Sequence, residues 1–190
     1  MKCALCGNKE CVSGKDCTDV REAVKAEYRD GALVMAQTAA YIEATYYMQK
    51  TRIEEIIEFA KEMGYKRIGI AFCIGLAREA ETVHNILAQH FDVYSVCCKV
   101  CAIPKQDLNL KPVSGDDESM CNPIGQARIL NDRQTDLNLI AGLCIGHDIL
   151  FTKYSDAPVS TFLVKDRVLA HNPAGALYSK YYRSKKFQVP

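Results

Sequence analysis

The chain has 190 residues, of which 48% are hydrophobic, so it can bury a core of its own. This composition excludes a disordered or low-complexity protein. Lys and Arg number 24 against 23 Asp and Glu, and the formal net charge of +1 argues against non-specific binding to nucleic acid or to an anionic membrane.

Residues 1–19 form a cysteine-rich segment with almost no large apolar side chains. Its four cysteines follow the spacing C-x2-C-x4-C-x5-C: Cys3, Cys6, Cys11 and Cys17. Gly7 and Gly14 permit tight turns between them, so the four thiolates can converge on one ion. A structural zinc and an iron–sulfur cluster both take four thiolates, and the shape of the first pair favours zinc. The alternative is a tail with loose thiols. We predict a metal-binding segment over 1–19 and an α/β domain over 20–190.

Three helical patterns follow the cysteine-rich segment. Residues 20–28 carry the charges of an exposed helix, and Gly31 marks a break after it. Residues 32–47 are apolar on most faces, which suits either a cover for a sheet or the surface of a homo-oligomer. Residues 51–63 are amphipathic, and Gly64 fits the C-terminal cap of that helix.

From residue 67 onward, short apolar runs alternate with helical patterns. The predicted strands are 67–73, 92–98, 137–144 and 159–165. The predicted helices are 76–90, 123–132, 147–154 and 174–182, and a long loop is predicted over 102–120. This alternation predicts a Rossmann-like, doubly wound, mostly parallel sheet with helices on both faces. In such sheets ligands bind outside the carboxyl ends of the strands.

Cysteines stand at four of these junctions between strand and helix. We call the set the core cysteines: Cys73, Cys98, Cys121 and Cys144. Because the carboxyl ends of parallel strands share one edge, we expect their side chains to cluster. Cys97 and Cys101 are further candidates, but neighbours on a strand face opposite sides, so Cys98 is preferred to Cys97. Cys101 lies further along the loop.

Thiolates from four separate strand ends favour an iron–sulfur cluster, of the [4Fe–4S] type, as the cofactor of the core cysteines. Structural zinc sites are usually built from close pairs of ligands, so zinc fits less well here. Two other interpretations stay open. The thiols can form a reactive or disulfide relay, or they can be buried as small hydrophobic side chains.

Polar residues near the same edge are candidates for further roles. His147 and Asp148 begin a predicted helix and suit an acid–base pair in which Asp148 orients the imidazole; alternatively, Asp148 only stabilises the helix start. Lys165 and Arg167 follow the last strand, and two cations there can bind a carboxylate or phosphate, or simply belong to a charged loop. Lys99 can lower the pKa of a nearby thiolate, or it is solvated.

The sequence contains neither a P-loop nor a dinucleotide fingerprint. Its start has no apolar run typical of a leader, and its longest uncharged stretch is shorter than a membrane span. We therefore expect a cytoplasmic protein. Many cysteines in a reducing compartment indicate metal or redox chemistry more often than disulfides.

Several segments resemble one family of unknown function. They are Ile68-Gly-Ile-Ala-Phe-Cys-Ile-Gly-Leu76, Val96-Cys-Cys-Lys-Val100, Cys121-Asn-Pro-Ile-Gly-Gln-Ala127, Gly142-Leu-Cys-Ile-Gly-His-Asp148, Ala157-Pro158, and Val164-Lys-Asp-Arg-Val168 through His171-Asn-Pro173. That family is described as an uncharacterised metal-binding protein of archaea and anaerobic bacteria. The resemblance covers nearly the whole chain and implies a metal and an anaerobic setting, but no reaction. Its motifs contain Cys73, Cys97, Cys98, Cys121 and Cys144, whereas Cys101 lies outside them.

The leading hypothesis is an iron–sulfur protein with an enzymatic or electron-transfer role, in which the core cysteines hold the cluster. If it is an enzyme, we expect small-molecule sulfur or redox chemistry with His147 as the acid–base partner. The expected partners are a small-molecule substrate or a redox partner. The alternatives are a non-catalytic zinc-binding or metal-trafficking protein, and an interaction module in which the N-terminal zinc segment docks a partner.

Overall fold

The computed structural model describes residues 1–115 and 117–189. Residue 116 of the predicted loop and residue 190 of the predicted α/β domain lie outside the described residues. The chain divides into two compact units, Met1–Tyr47 and a second unit that begins at Met48. The predicted boundary after residue 19 lies within the first unit and stays a prediction.

The first unit consists of two short turns and two helices. The turns are Cys3–Leu5 and Glu10–Ser13, and the helices are α1 (Arg21–Glu27) and α2 (Asp30–Tyr46). The break between the helices falls at Tyr28 and Arg29 rather than at Gly31, because Arg29 has extended backbone angles. Gly31 lies in the first turn of α2, so the predicted position of this break was wrong by two residues.

The second unit contains a parallel sheet. The described residues form four strands in it: β1 (Arg67–Phe72), β2 (Asp92–Cys97), β3 (Leu137–Ala141) and β4 (Val159–Leu163). Their order is β2-β1-β3-β4, and every neighbouring pair is parallel. After β1 the chain adds β2 on one side of it. It then crosses to the other side of β1 and adds β3 and β4 there. The predicted parallel sheet is confirmed.

Helices flank this sheet. They are α3 (Arg52–Glu62), α4 (Ala77–Leu87), α5 (Pro123–Asp132), α6 (His147–Tyr154) and α7 (Ala174–Tyr178). One core cluster joins α3 and α4 to Ile68 and Ile70 of β1. A second cluster joins α5 and α6 to Ala71, the next inward position on the opposite face of β1. Burial of apolar side chains on both faces explains why the strands have almost continuously apolar sequences.

The predicted element ends differ from the structure at places where the backbone turns. The strand predicted to reach Cys144 ends at Ala141, because Gly142 takes the left-handed conformation with φ of +72°. The helix predicted from residue 76 begins at Ala77, after a 3-10 turn over Ile74–Leu76. The last helix ends at Tyr178, and a separate π-helical turn covers Tyr182–Lys186.

The long loop after β2 is folded back on itself. An isolated antiparallel bridge joins Pro104 to Ser119, and Met120 donates its backbone N–H to the carbonyl of Ile103 at 2.8 Å. The loop therefore leaves the sheet and returns to it beside the start of α5. Among the described residues, no helix has the length and apolar character needed to cross a membrane.

Candidate functional site

The structure brings the core cysteines together at the carboxyl edge of the sheet. Hydrogen bonds continue the strand pairing beyond the strand ends. The Cys73 N–H donates to the carbonyl of Ala141 at 3.2 Å, and the Cys98 N–H donates to that of Phe72 at 2.8 Å. The Asn122 N–H donates to the Cys98 carbonyl at 2.7 Å, which holds Cys121 beside them. The ends of β1, β2 and β3 and the start of α5 are thus linked side by side.

Cys73 and Cys98 form the buried part of the site, with 7% and 2% of their surfaces exposed. The Cys98 thiol donates a hydrogen bond to the Cys73 sulfur, and together with the Gly75 N–H and Lys165 it lowers the pKa of Cys73 to about 5. The same hydrogen bond, with burial, raises the pKa of Cys98. One member of the pair is therefore a thiolate at neutral pH and the other a thiol that supports it.

Two cations approach the sulfur atoms from the segment after β4. The Lys165 Nζ lies 3.4 Å from the Cys73 Sγ, and the Arg167 Nη2 lies 3.0 Å from the Cys144 Sγ. The hydrogen bond and the charge of Cys144 raise the pKa of Arg167, and Cys73 and Cys121 act on it in the same direction. Cys73, Cys121 and Cys144 are therefore within electrostatic reach of Arg167, and Lys165 contacts Cys73.

The turn that carries the cations is fixed by its own hydrogen bonds; we call residues 164–173 the cation loop. The Asp166 Oδ1 accepts the backbone N–H groups of Val168 and Leu169, both at 2.9 Å. The His171 Nδ1 accepts the Asp166 N–H at 3.1 Å. His171 has a left-handed backbone with φ of +62°. Asp166 and His171 thus shape the loop, and neither contributes to the predicted cation pair.

Two glycines leave room for the Lys165 side chain. A Cβ at Gly75 would lie 3.2 Å from the Lys165 Nζ, and a Cβ at Gly142 would lie 3.8 Å from its Cδ. The Cβ at Gly142 would also come within 1.9 Å of the Leu76 Cδ1. A side chain at Gly75 would therefore crowd the Lys165 amine, whereas the 3.8 Å approach at Gly142 is an ordinary contact and the restriction there comes from Leu76.

His147 and Asp148 lie at the start of α6, as predicted, but they are not joined by a hydrogen bond. The Asp148 Oδ1 accepts the N–H groups of Gly146 at 2.9 Å and Ile149 at 2.8 Å, so its carboxylate stabilises the helix start. Burial lowers the pKa of His147, although the charge of Asp148 acts to raise it. Because the pKa is lowered, the imidazole is neutral at pH 7. In the described part of the chain, its ring nitrogens have no hydrogen-bond partner, and it lies close enough to Cys73 and Arg167 to interact with both charges.

The other candidates near the edge have different surroundings. Cys97 is the last residue of β2 and is half-buried, whereas Cys101 is exposed and has a left-handed backbone with φ of +69°. Lys99 does not act on a thiolate: its amine donates to the carbonyl of Ser119 and lies 3.5 Å from the Glu118 carboxylate. Lys105 and backbone N–H groups lower the pKa of that carboxyl to about 2.

Gln126 is fully buried behind the core cysteines. Its Nε2 donates to the carbonyl of Phe72 at 3.1 Å and to that of Val96 at 2.7 Å, so it ties the ends of β1 and β2 together. Asn122 caps the same helix through a 2.8 Å bond from the Gly125 N–H. These contacts could not be assigned from the sequence. Gln is rarely buried, so its presence in the first turn of a buried helix was the one available signal.

We expect Gln126→Met to destabilise the fold by about 2 kcal/mol, since two buried carbonyl groups lose their donor. Urea unfolding of the metal-free protein measures this loss. Arg128→Met on the exposed side of the same helix is the matched control, and it should change the free energy of unfolding by less than about 0.5 kcal/mol. Equal stability of the two variants would show that the Gln126 hydrogen bonds contribute nothing.

In the described residues, no three Cys, His, Asp or Glu side chains are arranged so that one metal ion could be held by all of them. The donor chemistry of the core cysteines nevertheless suits a soft metal or a cluster, because four sulfur atoms and two compensating cations share one edge. A metal at this position is therefore a proposal.

A family model described as "Protein of unknown function (DUF1847)" matches residues 11–162. The chain belongs to this family. An uncharacterised protein of Methanocaldococcus jannaschii is 61% identical over 188 residues, which are 97% of each chain. No solved structure matches the chain. The predicted membership of a family of unknown function is confirmed, while the description of that family as metal-binding stays a prediction.

The DUF1847 match contains the four core cysteines but begins only at Cys11. The predicted N-terminal ligands all lie in the first unit and are exposed. The turn Cys3–Leu5 closes with a 3.1 Å hydrogen bond from the Cys6 N–H to the Cys3 carbonyl, so the first two cysteines share one turn. Cys11 lies in the second turn, and Cys17 follows it.

Proposed function

We propose that this DUF1847 protein holds an iron–sulfur cluster of the [4Fe–4S] type on the core cysteines and uses it in redox or sulfur chemistry. The observation that carries the proposal is that cysteines from four separate junctions lie at one edge, where Cys98 bonds to Cys73, Lys165 contacts Cys73 and Arg167 contacts Cys144. Bound there, a cluster supplies electron transfer or a Lewis-acidic iron.

The strand order supports this position for a ligand. We propose that the sheet is doubly wound and Rossmann-like, because the chain crosses from one side of β1 to the other between β2 and β3. Ligands in such sheets bind where the order reverses, at the carboxyl ends of the two strands that flank the reversal. Those strands are β1 and β3, and they lead to Cys73 and Cys144.

The surrounding side chains suit an anionic group. As ligands of a cluster the four cysteines would be thiolates with four negative charges, and Lys165 and Arg167, which contact Cys73 and Cys144 directly, would offset part of this charge. His147, neutral and without a hydrogen-bond partner in the described chain, can accept a proton beside the sulfur atoms. Asp148 would contribute to such a role by fixing the start of α6 rather than by orienting the imidazole.

For the N-terminal segment we propose a second metal site on Cys3, Cys6, Cys11 and Cys17, which takes zinc or an iron–sulfur cluster. Metal binding there would supply folding free energy that this segment lacks in apolar contacts. We further propose a cytoplasmic protein that acts on a small-molecule substrate or with a redox partner. A homo-oligomer is compatible with this proposal.

Anaerobic purification followed by metal analysis and a visible absorption spectrum tests the main proposal. Iron, acid-labile sulfide and broad visible absorption are the expected result. A colourless protein that contains only zinc, near one ion per chain, would contradict it and favour the alternatives: a zinc-binding or trafficking protein, or a zinc-segment interaction module.

A second candidate function, thiol chemistry, is favoured by the Cys98–Cys73 hydrogen bond and the contact with Lys165. In it, the Cys73 thiolate attacks one sulfur of a small-molecule disulfide and releases the other half as a thiolate. Cys98 then loses its proton and attacks the mixed disulfide, which releases the second half and leaves a Cys73–Cys98 disulfide.

The pH dependence of alkylation tests the thiolate at Cys73. In reduced, metal-free protein the pKa of about 5 predicts an alkylation rate that is flat from pH 6 to 8 and falls below pH 5. Lys165→Met should move the midpoint to higher pH, since it removes a cation from the sulfur. Peptide mapping by mass spectrometry measures each cysteine. A rate at Cys73 that still rises between pH 7 and 9, as expected of an ordinary thiol, would rule out the thiolate.

A further inference from the structure

We propose that Arg167, assisted by Lys165, binds the carboxylate of a small organic acid at the core cysteine site. This inference rests on the proposed function, because it names the class of substrate that would meet the sulfur atoms. It is carried by the unused donors of Arg167, the hydrogen-bonded loop that presents them, and the side chains that occupy the starts of α5 and α6.

Arg167 offers more donors than the structure uses. Its guanidinium has five N–H groups in a planar fork, and only the contact from Nη2 to the Cys144 Sγ engages them in the described chain. The side chain is exposed, so the remaining donors face the outside of the site. A carboxylate matches this fork with two parallel hydrogen bonds.

The cation loop holds this fork in place before any ligand binds. Asp166 accepts two N–H groups within the turn, and its own N–H is held by His171. Lys165 is fixed at the inner end by Cys73. A binding group held in advance loses little conformational entropy when the ligand arrives, which favours even a small ligand.

Two of the helix starts near the site are already occupied, which favours a carboxylate over a phosphate there. The Asn122 side chain caps α5, and the Asp148 carboxylate caps α6. A phosphate usually uses free N–H groups at a helix start, and Gly125 of α5 and Ile149 of α6 already donate theirs to these side chains. The negative charge of Asp148 also disfavours a second negative charge on the ligand.

Apolar side chains stand next to the site residues along the chain. Ile74 follows Cys73, Ile145 follows Cys144, and Val168 follows Arg167, with 53%, 85% and 74% of their surfaces exposed. Exposed branched side chains that neighbour the site residues in sequence suit a ligand with a short apolar part beside its charged group. The substrate class that fits is therefore a small carboxylic acid with an aliphatic portion.

Calorimetric titration of the anaerobically purified full chain with butyrate, acetate, butyramide and inorganic phosphate tests the inference. Butyrate should bind most tightly and at least about tenfold more tightly than the uncharged butyramide, because the amide lacks the charge-assisted bonds. Arg167→Gln should weaken the binding of butyrate by about tenfold or more. Arg167→Lys should bind butyrate more tightly than Arg167→Gln but less tightly than the wild type. Arg128→Gln, an exposed arginine on α5, should leave binding unchanged.

Equal binding of butyrate and butyramide, tighter binding of phosphate, or no effect of Arg167→Gln would overturn the inference. Iron and sulfide are measured on each sample, which separates the two proposals. Iron without Arg167-dependent butyrate binding contradicts the carboxylate site alone. Arg167-dependent binding to a protein without iron contradicts the cluster alone.

Discussion

Replacing Cys73 with serine is expected to remove most of the iron and sulfide bound by the core cysteines while leaving the N-terminal metal in place. Cys73 is the member of the set that Cys98, Gly75 and Lys165 prepare as a thiolate. Serine cannot replace it, since its hydroxyl stays protonated at neutral pH. Mutation of a residue that hydrogen-bonds to a metal ligand lowers metal affinity by about 10–100-fold, so the loss of the ligand itself should lower it at least as much. Iron and acid-labile sulfide analysis, with the visible spectrum, measures the effect.

Cys101→Ser is the matched control for this variant. Cys101 follows the core cysteine Cys98 by three residues, but it is exposed and its backbone is left-handed. We expect its replacement to leave the iron content and the spectrum unchanged. Circular dichroism should show that both variants fold. A folded Cys73→Ser protein with the spectrum and iron of the wild type would show that Cys73 is not a ligand.

Gly142→Ala is expected to destabilise the second unit by about 2–5 kcal/mol, the sum of a left-handed backbone cost near 1–2 and an overpacking cost near 1–3. The new Cβ would lie 1.9 Å from the Leu76 Cδ1, and Leu76 is 1% exposed, so it has little space to move. Urea unfolding of the metal-free protein gives the free energy.

Gly146→Ala separates the two causes. Gly146 is also left-handed, with φ of +88°, but no atom lies within 4 Å of the position of its Cβ. We expect this variant to lose only the backbone contribution, about 1–2 kcal/mol. If both variants lose the same free energy, the contact between Gly142 and Leu76 does not restrict the fold as described.

The placement of Cys73, Cys98 and Cys144 along one edge of the sheet could be predicted because it depends on strand direction alone. Four apolar runs separated by helices predict parallel strands, and parallel strands end at one edge, so Cys73, Cys98 and Cys144 had to lie near one another. Cys121 joined them because Asn122-Pro123 correctly marked the start of a helix that returns to this edge.

The contacts of the cations could not be predicted from local patterns. Asp166 and His171 fold the cation loop through local hydrogen bonds, but the sulfur atoms that Lys165 and Arg167 reach belong to residues 92 and 23 positions away in the chain. Lys99 was expected either to act on a thiolate or to be solvated. It pairs instead with Glu118, because the loop after β2 folds back through the bridge between Pro104 and Ser119. The spacing of residues in the sequence predicts neither the contacts of the cation loop nor the return of the loop after β2.

The most direct test of a cluster on the core cysteines uses a chain in which Cys3, Cys6, Cys11 and Cys17 are all replaced by serine. Any metal in that protein belongs to the second unit. Purified without oxygen, it should contain about four iron and four sulfide ions per chain and absorb broadly in the visible range. A folded, colourless protein without iron or sulfide would contradict the proposal.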